Sequence, residues 1–194
     1  MSRVILDLCG GTGAWSKPYR EAGYDVELID INNGQDVRLF KKPSYQVYGI
    51  LASPPCTHLA SSGARWWKDK GESALLEALS IVDACLRIVS VTQPKFWCLE
   101  NPVGRLVRYL GRPRLYFQPC DYGDAYTKKT CLWGEFNVPK TTPVECSVES
   151  QSGYSKLARR FPSKMHLLPS TGDRPMLRGI TPGGFARAFF EANR

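Results

Sequence analysis

The sequence lacks a long apolar run, and it lacks the signals of secretion. None of its 194 residues lies in an apolar stretch that approaches the roughly 18 residues of a membrane-spanning helix. The first residues, MSRVILDLCGG, hold an apolar stretch that is too short for a signal peptide and that runs directly into an acid and two glycines. We therefore expect a protein that makes no use of a membrane and that works in the cytoplasm.

Several metal, phosphate and disulfide motifs are also missing. The seven cysteines include no CxxC pair, which disfavours a structural zinc site, and we expect no metal. Their odd number and wide spacing are unlike a secreted disulfide scaffold, so we expect reduced thiols. No GKS or GKT tripeptide follows the glycines, which excludes a P-loop.

Positive charge is what the composition has in excess. Lysine and arginine number 26 against 18 acidic residues, which gives a formal net charge of +8. Such a balance favours a polyanionic partner such as nucleic acid, held through phosphate contacts and counterion release. Solubility alone is the simpler explanation of the same charge.

Short β-rich runs alternate with helical patterns along the chain. Because strands that alternate with helices build parallel sheets, the sequence predicts a Rossmann-like α/β fold in a single domain, with a mostly parallel sheet and helices on both faces. Residues 137–180 break the pattern and predict a small irregular lobe. The predicted strands are 3–8, 25–30, 48–53, 95–100, 114–118 and 130–136, and the predicted helices are 14–23, 72–92, 103–110 and 183–193.

A glycine turn follows the first strand, and two acids follow the second. Gly10, Gly11 and Gly13 would let the backbone approach a ligand at the carboxyl end of the sheet, where open α/β sheets bind ligands. Asp30 ends the second strand, at a position where an acid commonly accepts hydrogen bonds from ribose hydroxyls. Asp36 lies on the next loop. Together these residues predict a site for a cofactor that contains a nucleoside, although a tight turn alone would also need the glycines.

A cysteine and a glutamate follow two further strands. Pro54 and Pro55 precede Cys56, and because proline fixes φ they restrict where the thiol can move. Glu100 ends the next strand and is followed by Asn101. We expect the thiol and the carboxyl group to meet at one edge of the sheet as a nucleophile and an acid. A buried structural cysteine and a helix N-terminal charge are the simpler alternatives.

These motifs, in this order, resemble the DNA cytosine-5 methyltransferase family. The glycine turn at 9–13 looks like the family's first motif, Ser53-Pro54-Pro55-Cys56 looks like its nucleophile motif, and Glu100-Asn101-Pro102 looks like its ENV-type motif. The resemblance runs from residue 3 to about residue 135. It is closest to the compact methylase-like proteins that bacterial viruses often carry, and it implies the class I methyltransferase form of the Rossmann-like fold.

The resemblance implies a reaction and a set of site residues. Cys56 would attack C6 of a cytosine that is flipped out of a DNA duplex, and Glu100 would hydrogen-bond N3 and the exocyclic amine, so that C5 accepts a methyl group. The methyl donor would be S-adenosylmethionine. The residues that would hold the donor are Asp7, Gly10, Gly11, Gly13, Trp15, Asp30 and Asp36, and those that would contact the substrate are Pro54, Pro55, Asn101, Lys128, Lys129 and Thr130.

The chain departs from the family pattern at four places. One is the last motif, because residues 181–194 lack the Asn-Ala/Ser-Val that the family usually has there. Thr57 stands where the family usually has glutamine. Residues 122–134 occupy the place of an arginine-containing motif, so Lys128, Lys129 and Thr130 would replace it. Only 137–180 is available for target recognition, which predicts short or relaxed sequence specificity, help from a protein partner, or a different substrate.

Two alternatives therefore stay open. The same C5 chemistry would also serve a free nucleotide, an RNA or a modified one-carbon donor. A catalytically inactive DNA-binding regulator is an alternative of another class, although the intact Cys56 and Glu100 argue against it.

Overall fold

A computed structural model describes residues 3–145 and 174–194, and it shows one six-stranded mixed sheet. The strands lie in the order β2-β1-β3-β4-β6-β5, in which β1 to β4 are mutually parallel and β6 runs antiparallel between β4 and β5. Their bounds are β1 Val4–Leu8, β2 Asp25–Ile29, β3 Val47–Ala52, β4 Phe96–Pro102, β5 Leu115–Phe117 and β6 Thr130–Glu135.

Five α-helices accompany these strands in the described residues. They are α1 Lys17–Glu21, α2 Trp67–Thr92, α3 Val107–Leu110, α4 Arg174–Gly179 and α5 Gly183–Ala192. Within the same part of the chain, no helix is both long enough and apolar enough to cross a membrane. The Rossmann-like α/β fold class is confirmed.

Helices cover both faces of the sheet because the strand side chains alternate between two cores. Leu6, Ile50 and Leu99 point to the face on which α2 packs, through Val82 and Ile88. Their neighbours along the strands point to the opposite face, which α1 and α5 cover. The neighbours that form this second core include Ile5, Leu51, Cys98 and Leu132.

The second core is largely aromatic. Phe189 is fully buried on α5 and contacts Trp15 edge-on, at 5.3 Å between ring centroids. Phe185, one turn earlier, stacks on Phe117 at 3.9 Å. The last helix therefore completes the sheet's core and is not a loose terminal segment. Its start is fixed by Asp124, whose carboxylate accepts a hydrogen bond from the Gly184 N–H.

Four sequence predictions need correction. The helix predicted at 103–110 begins only at Val107. Helix α2 begins at Trp67, five residues before the predicted start, and it is interrupted at Gly71, whose φ of 74° and ψ of −175° are not helical. The predicted irregular lobe contains helix α4, and residues 146–173 of that lobe lie outside the described residues. Cys120 is in a disulfide, so the expectation that every cysteine is reduced is wrong for this residue.

We predict that Phe189→Ala lowers the free energy of unfolding by about 3–5 kcal/mol, because it leaves a cavity among the surrounding aromatic rings. Urea unfolding followed by circular dichroism measures the change. Leu76→Ala is the control, because Leu76 is 60% exposed on α2 and its truncation should change stability by less than about 0.5 kcal/mol. Equal losses in both variants would contradict this account of the core.

Candidate active site

The four parallel strands end at the same edge of the sheet, and the predicted site residues follow those ends. Asp7 is the fourth residue of β1, Asp30 directly follows β2, and Glu100 is the fifth residue of β4. Cys56 comes four residues after β3. Because β1 lies between β2 and β3, the chain leaves β1 and β3 in opposite directions across the sheet, and this is the switch point at which such sheets bind ligands.

The glycine turn after β1 requires its glycines for two different reasons. Gly11 and Gly13 have φ values of 56° and 68°, a region that favours glycine. Gly10 is needed for space, because a Cβ there would lie 2.3 Å from Oδ1 of Asp7. The Gly13 N–H donates to the Gly10 carbonyl at 2.9 Å and closes the turn. The turn therefore lies directly on the Asp7 carboxyl group.

Asp7 is fully buried with only half of its carboxyl group satisfied. Ser16 Oγ donates to Oδ2 at 2.5 Å, whereas Oδ1 is buried without a hydrogen-bond partner. Burial raises the pKa of Asp7 to about 6, and the Ser16 hydrogen bond opposes part of that rise. An unpartnered acceptor beneath a glycine turn fits the amino group of a ligand bound on the turn.

Asp30 connects the glycine turn to the end of β2. Its Oδ2 accepts from the Gly11 N–H at 2.8 Å, and its Oδ1 accepts from the Asn32 N–H at 2.9 Å. Each carboxylate oxygen keeps a further lone pair. Asp30 is 6% exposed, so it both fixes the turn and offers a small polar surface beside it.

Asp36 lies further along the same edge and is already ion-paired. Its carboxylate caps a 3₁₀ turn at residues 37–39 and binds the Arg38 side chain, which lowers the pKa of Asp36. Two aliphatic side chains flank the acids in an unusually exposed state: Ile31 is 67% exposed and Leu39 is 78% exposed. The sequence analysis identified neither residue, although Ile31 directly follows Asp30 and Leu39 lies three residues after Asp36.

Trp15 lies in the core. It is 1% exposed and packs against Phe185 and Phe189, so core packing accounts for its ring. Its contact with a cofactor stays a prediction.

The loop that carries Cys56 is a tight turn, held from both sides by the end of β4. The Cys56 carbonyl accepts hydrogen bonds from two backbone N–H groups further along the loop, each at 2.9 Å. Before the cysteine, Asn101 Nδ2 donates to the Pro54 carbonyl at 2.9 Å. After it, Arg105 Nε donates to the His58 carbonyl at 2.8 Å. Pro54 is buried and Pro55 is exposed.

Gly104 brings these two segments together. An isolated β-bridge pairs Gly104 with Ala60, and a Cβ on Gly104 would lie 2.0 Å from the Leu59 carbonyl oxygen. The Arg105 N–H also donates to Leu59, at 2.9 Å. Arg105 is therefore a positioning residue, and the sequence analysis did not identify it. The glycine before it was the available signal, because a glycine after a strand allows close backbone approach.

The Glu100 carboxylate acts electrostatically on the Cys56 thiol. Burial raises the pKa of the Cys56 thiol, and the Glu100 carboxylate raises it further, whereas Lys128 and Arg178 act in the opposite direction. Burial also raises the pKa of Glu100, which is 9% exposed, and Lys128 again opposes the rise. A buried carboxyl group of raised pKa is suited to hold a proton and donate it.

The two lysines of the 122–134 stretch have different surroundings. Lys128 acts on both Cys56 and Glu100, and its N–H is held by Gln118 Oε1 at 2.9 Å. Lys129 Nζ instead lies 5.3 Å from the ring centroid of Tyr116. Thr130 is buried, and its hydroxyl donates to the Lys128 carbonyl at 2.8 Å. This hydrogen bond helps to fix the backbone of Lys128.

Arg178 is the residue that sequence reasoning missed completely. It lies on α4, within a stretch whose pattern predicted irregular structure, yet it contributes positive charge to the environment of Cys56. No sequence signal pointed to it. Residues 3–145 and 174–194 contain no group of three or more potential metal ligands.

The comparisons with known proteins identify no family. No family model and no curated protein matches the chain. Among solved structures, a prophage-encoded Escherichia coli protein named as a candidate DNA modification methyltransferase matches with 20% identity and a TM-score of 0.48. The match covers 74% of this chain and 53% of that one, so the chain spans about half the length of that structure. A likeness this weak carries no argument, and the fold assignment rests on the sheet topology.

We predict that charge changes around Cys56 shift the pH dependence of its alkylation in opposite directions. Glu100→Gln should move the rise in rate to lower pH, because the carboxylate raises the thiol pKa, and Lys128→Met should move it to higher pH. Mass spectrometry of iodoacetamide-treated protein between about pH 7 and 10 reads the site directly. Lys129→Met is the matched control and should leave the profile unchanged; a shift equal to that of Lys128→Met would contradict the assignment.

We predict that Asp7→Asn gains stability relative to the unsubstituted protein as the pH rises from about 4 to 7. The folded-state pKa of Asp7, about 6, lies above its ordinary value of 3.8, so its stabilising contribution is complete below the ordinary value and is lost as the pH rises through 6. The relative gain should reach about 2–3 kcal/mol, measured by urea unfolding at each pH. Asp36→Asn, whose carboxylate has a lowered pKa, should show no such gain.

Proposed function

We propose that the protein transfers a methyl group from S-adenosylmethionine to C5 of cytosine in DNA, through attack of the Cys56 thiolate at C6. The observation that carries the proposal is the convergence of Cys56 and Glu100 at one edge of a Rossmann-like sheet. The carboxyl group acts electrostatically on the thiol, and the same cation acts on both. A buried structural cysteine would need neither a clamped loop nor a charged neighbour.

The residue types suit the chemistry of the base. Cytosine C5 is a poor nucleophile until a group adds at C6, and a polarisable thiolate is suited to reversible addition. The Cys56 Sγ–C6 bond forms as Glu100 donates a proton to N3, and the electron pair at C5 then takes the methyl group. A base takes the C5 proton, and the electron pair of that C–H bond expels the Cys56 thiolate from C6. The N3 proton returns to Glu100, which restores the neutral aromatic ring.

The positive charges near Cys56 favour its thiolate form. Burial and Glu100 both favour the neutral thiol, so Lys128 and Arg178 are the groups that favour the thiolate. Arginine and lysine also attract the phosphates next to the target base. Lys128 is therefore the residue of the predicted lysine pair that we assign to the substrate.

The residues around the glycine turn fit a nucleoside-containing methyl donor. The unpartnered Oδ1 of Asp7 suits its amino group, the remaining lone pairs of Asp30 suit ribose hydroxyls, and Ile31 and Leu39 offer apolar surface to a base. The donor supplies an electrophilic methyl group when bound. Asp36 would bind the adenine only by sharing its carboxylate with Arg38.

DNA is the partner that the charge and the site favour together. A net charge of +8 favours a polyanion, and a base must leave the duplex stack to reach a thiol held in a loop at the sheet edge. A second protein would supply sequence recognition that 137–180 is too short to provide alone. A cytoplasmic protein of a bacterial virus, acting in its host, is consistent with this activity.

We predict that DNA carrying 5-fluorocytosine forms a covalent adduct with the protein when the methyl donor is present, because fluorine cannot leave C5 as a proton does. Denaturing gel electrophoresis detects the adduct. Cys56→Ser should abolish both the adduct and the transfer of labelled methyl groups to ordinary DNA. Cys98→Ala should retain both, because Cys98 is fully buried in the core.

The same assay distinguishes the substrate classes. Single-stranded DNA, duplex DNA, RNA and the free mononucleotide are compared at equal cytosine concentration. If an adduct forms with the mononucleotide or with RNA but not with DNA, the C5 chemistry acts on that substrate and the proposal of DNA is wrong. Methyl transfer by Cys56→Ser would overturn the mechanism.

A further inference from the structure

An exposed aromatic residue with an arginine on its ring lies just beyond the Cys56 loop. Trp66 ends a 3₁₀ helix at residues 61–66 and is 45% exposed. The Arg65 guanidinium carbon lies 3.8 Å from the centroid of the Trp66 ring, which is close for a cation–π contact. We refer to these two residues as the Arg65–Trp66 pair. The Trp66 ring is therefore both open to solvent and in contact with a cation.

The segment that carries the pair is attached to the nucleophile loop. Lys70 Nζ donates to the Thr57 carbonyl at 3.1 Å, one residue after Cys56. The backbone at Gly63 packs against the same carbonyl, at 3.8 Å from the position of a Cβ. The bridge between Ala60 and Gly104 fixes the start of the segment to the end of β4. The pair is therefore held close to the site.

The next tryptophan has a different environment. Trp67 is half-buried and packs on Arg105, whose guanidinium carbon lies 4.5 Å from its ring centroid. Gly71 then interrupts the helix. Trp67 thus anchors the segment, and the break at Gly71 separates the first turn of α2 from the rest of that helix. Trp66, directly before α2, is exposed.

The charge around the pair suits an anionic strand. Arg65 and Lys68 are exposed, and neither forms an ion pair within the described parts of the chain. Lys70 adds a third cation, and Asp69 and Glu72 are the acidic residues of the same stretch. An aromatic ring beside unpaired cations is the arrangement with which proteins bind single strands, by stacking on bases and tracking phosphates.

We propose that the Arg65–Trp66 pair stacks on an unpaired base that neighbours the target base in a DNA strand. The pair is not part of the Cys56–Glu100 centre, so it would select a strand over a free nucleotide without touching the reacting atoms. The identity of the target base rests on the proposed function, whereas the stacking does not. The inference thus narrows the proposed substrate class to DNA that has unpaired bases beside the target base.

The test is equilibrium binding by the full chain, without methyl donor, to a fluorescent single-stranded DNA oligonucleotide of mixed sequence. Trp66→Ala should weaken binding by about 10- to 100-fold, the range expected for loss of one stacked base. Trp66→Phe should stay within about threefold of the unsubstituted protein, because it keeps a ring. Tyr45→Ala is the matched control: Tyr45 is 41% exposed, but it lies two residues before β3, at the opposite edge of the sheet.

Competition with free dCMP separates stacking from target binding. Trp66→Ala should bind dCMP as the unsubstituted protein does. Unchanged oligonucleotide binding in Trp66→Ala, an equal loss in Tyr45→Ala, or an equal loss of dCMP binding would each overturn the proposal.

The binding assay and the methyl-transfer assay test the two proposals separately. If no methyl transfer or adduct occurs but the Trp66→Ala loss of affinity is found, the proposed function fails and the stacking surface stands. If methyl transfer occurs but Trp66→Ala binds the strand with unchanged affinity, the proposed function stands and the stacking surface fails.

Discussion

The hydrogen bonds from the end of β4 to the loop after β3 are the constraint on which the site depends. Asn101 and Arg105 reach the backbone on either side of Cys56, at 2.9 Å and 2.8 Å. Both donors belong to the segment that also carries Glu100, so one stretch of chain sets the position of the thiol and of the carboxyl group together. The parallel pairing of β3 with β4 fixes that stretch in register. Any shift of β4 would therefore move both reacting groups at once and would change their electrostatic coupling.

On the other side of the switch point, a carboxylate also ties the end of one strand to the loop that follows another. There, Asp30 accepts the Gly11 N–H and thereby ties the end of β2 to the turn after β1. Asp7 lies beneath that turn, buried and half-satisfied, with a pKa raised to about 6. The protein accepts the cost of a buried, incompletely bonded acid at the place where a ligand's donor group would satisfy it. Such local violations of polar satisfaction are expected at functional sites.

The cations near the site have different neighbours and therefore different roles. Lys128 is the only group that opposes the pKa rise of both Cys56 and Glu100, so it alone couples to both reacting groups among the described residues. Lys129, its neighbour in sequence, faces the Tyr116 ring. Arg105 is used for positioning and Arg65 for the exposed ring of Trp66. Adjacent basic residues therefore differ in role because the backbone turns them into different surroundings, although their formal charge is the same.

The sequence by itself determined the sheet and the identity of its edge residues. Each of the six strands was predicted to within two residues at its ends, because short β-rich runs bounded by glycine or proline are local signals. Cys56 and Glu100 were predicted to meet because parallel strands end at one edge. Tertiary structure decided the rest. Trp15 follows a glycine turn in the sequence, but it packs in the aromatic core. Arg178 acts electrostatically on the Cys56 thiol from a helix that has no periodic signal. Lys128 acts on Cys56 and Glu100, whereas its neighbour Lys129 lies over the Tyr116 ring. These outcomes depend on contacts between residues far apart in the chain, which no local pattern encodes.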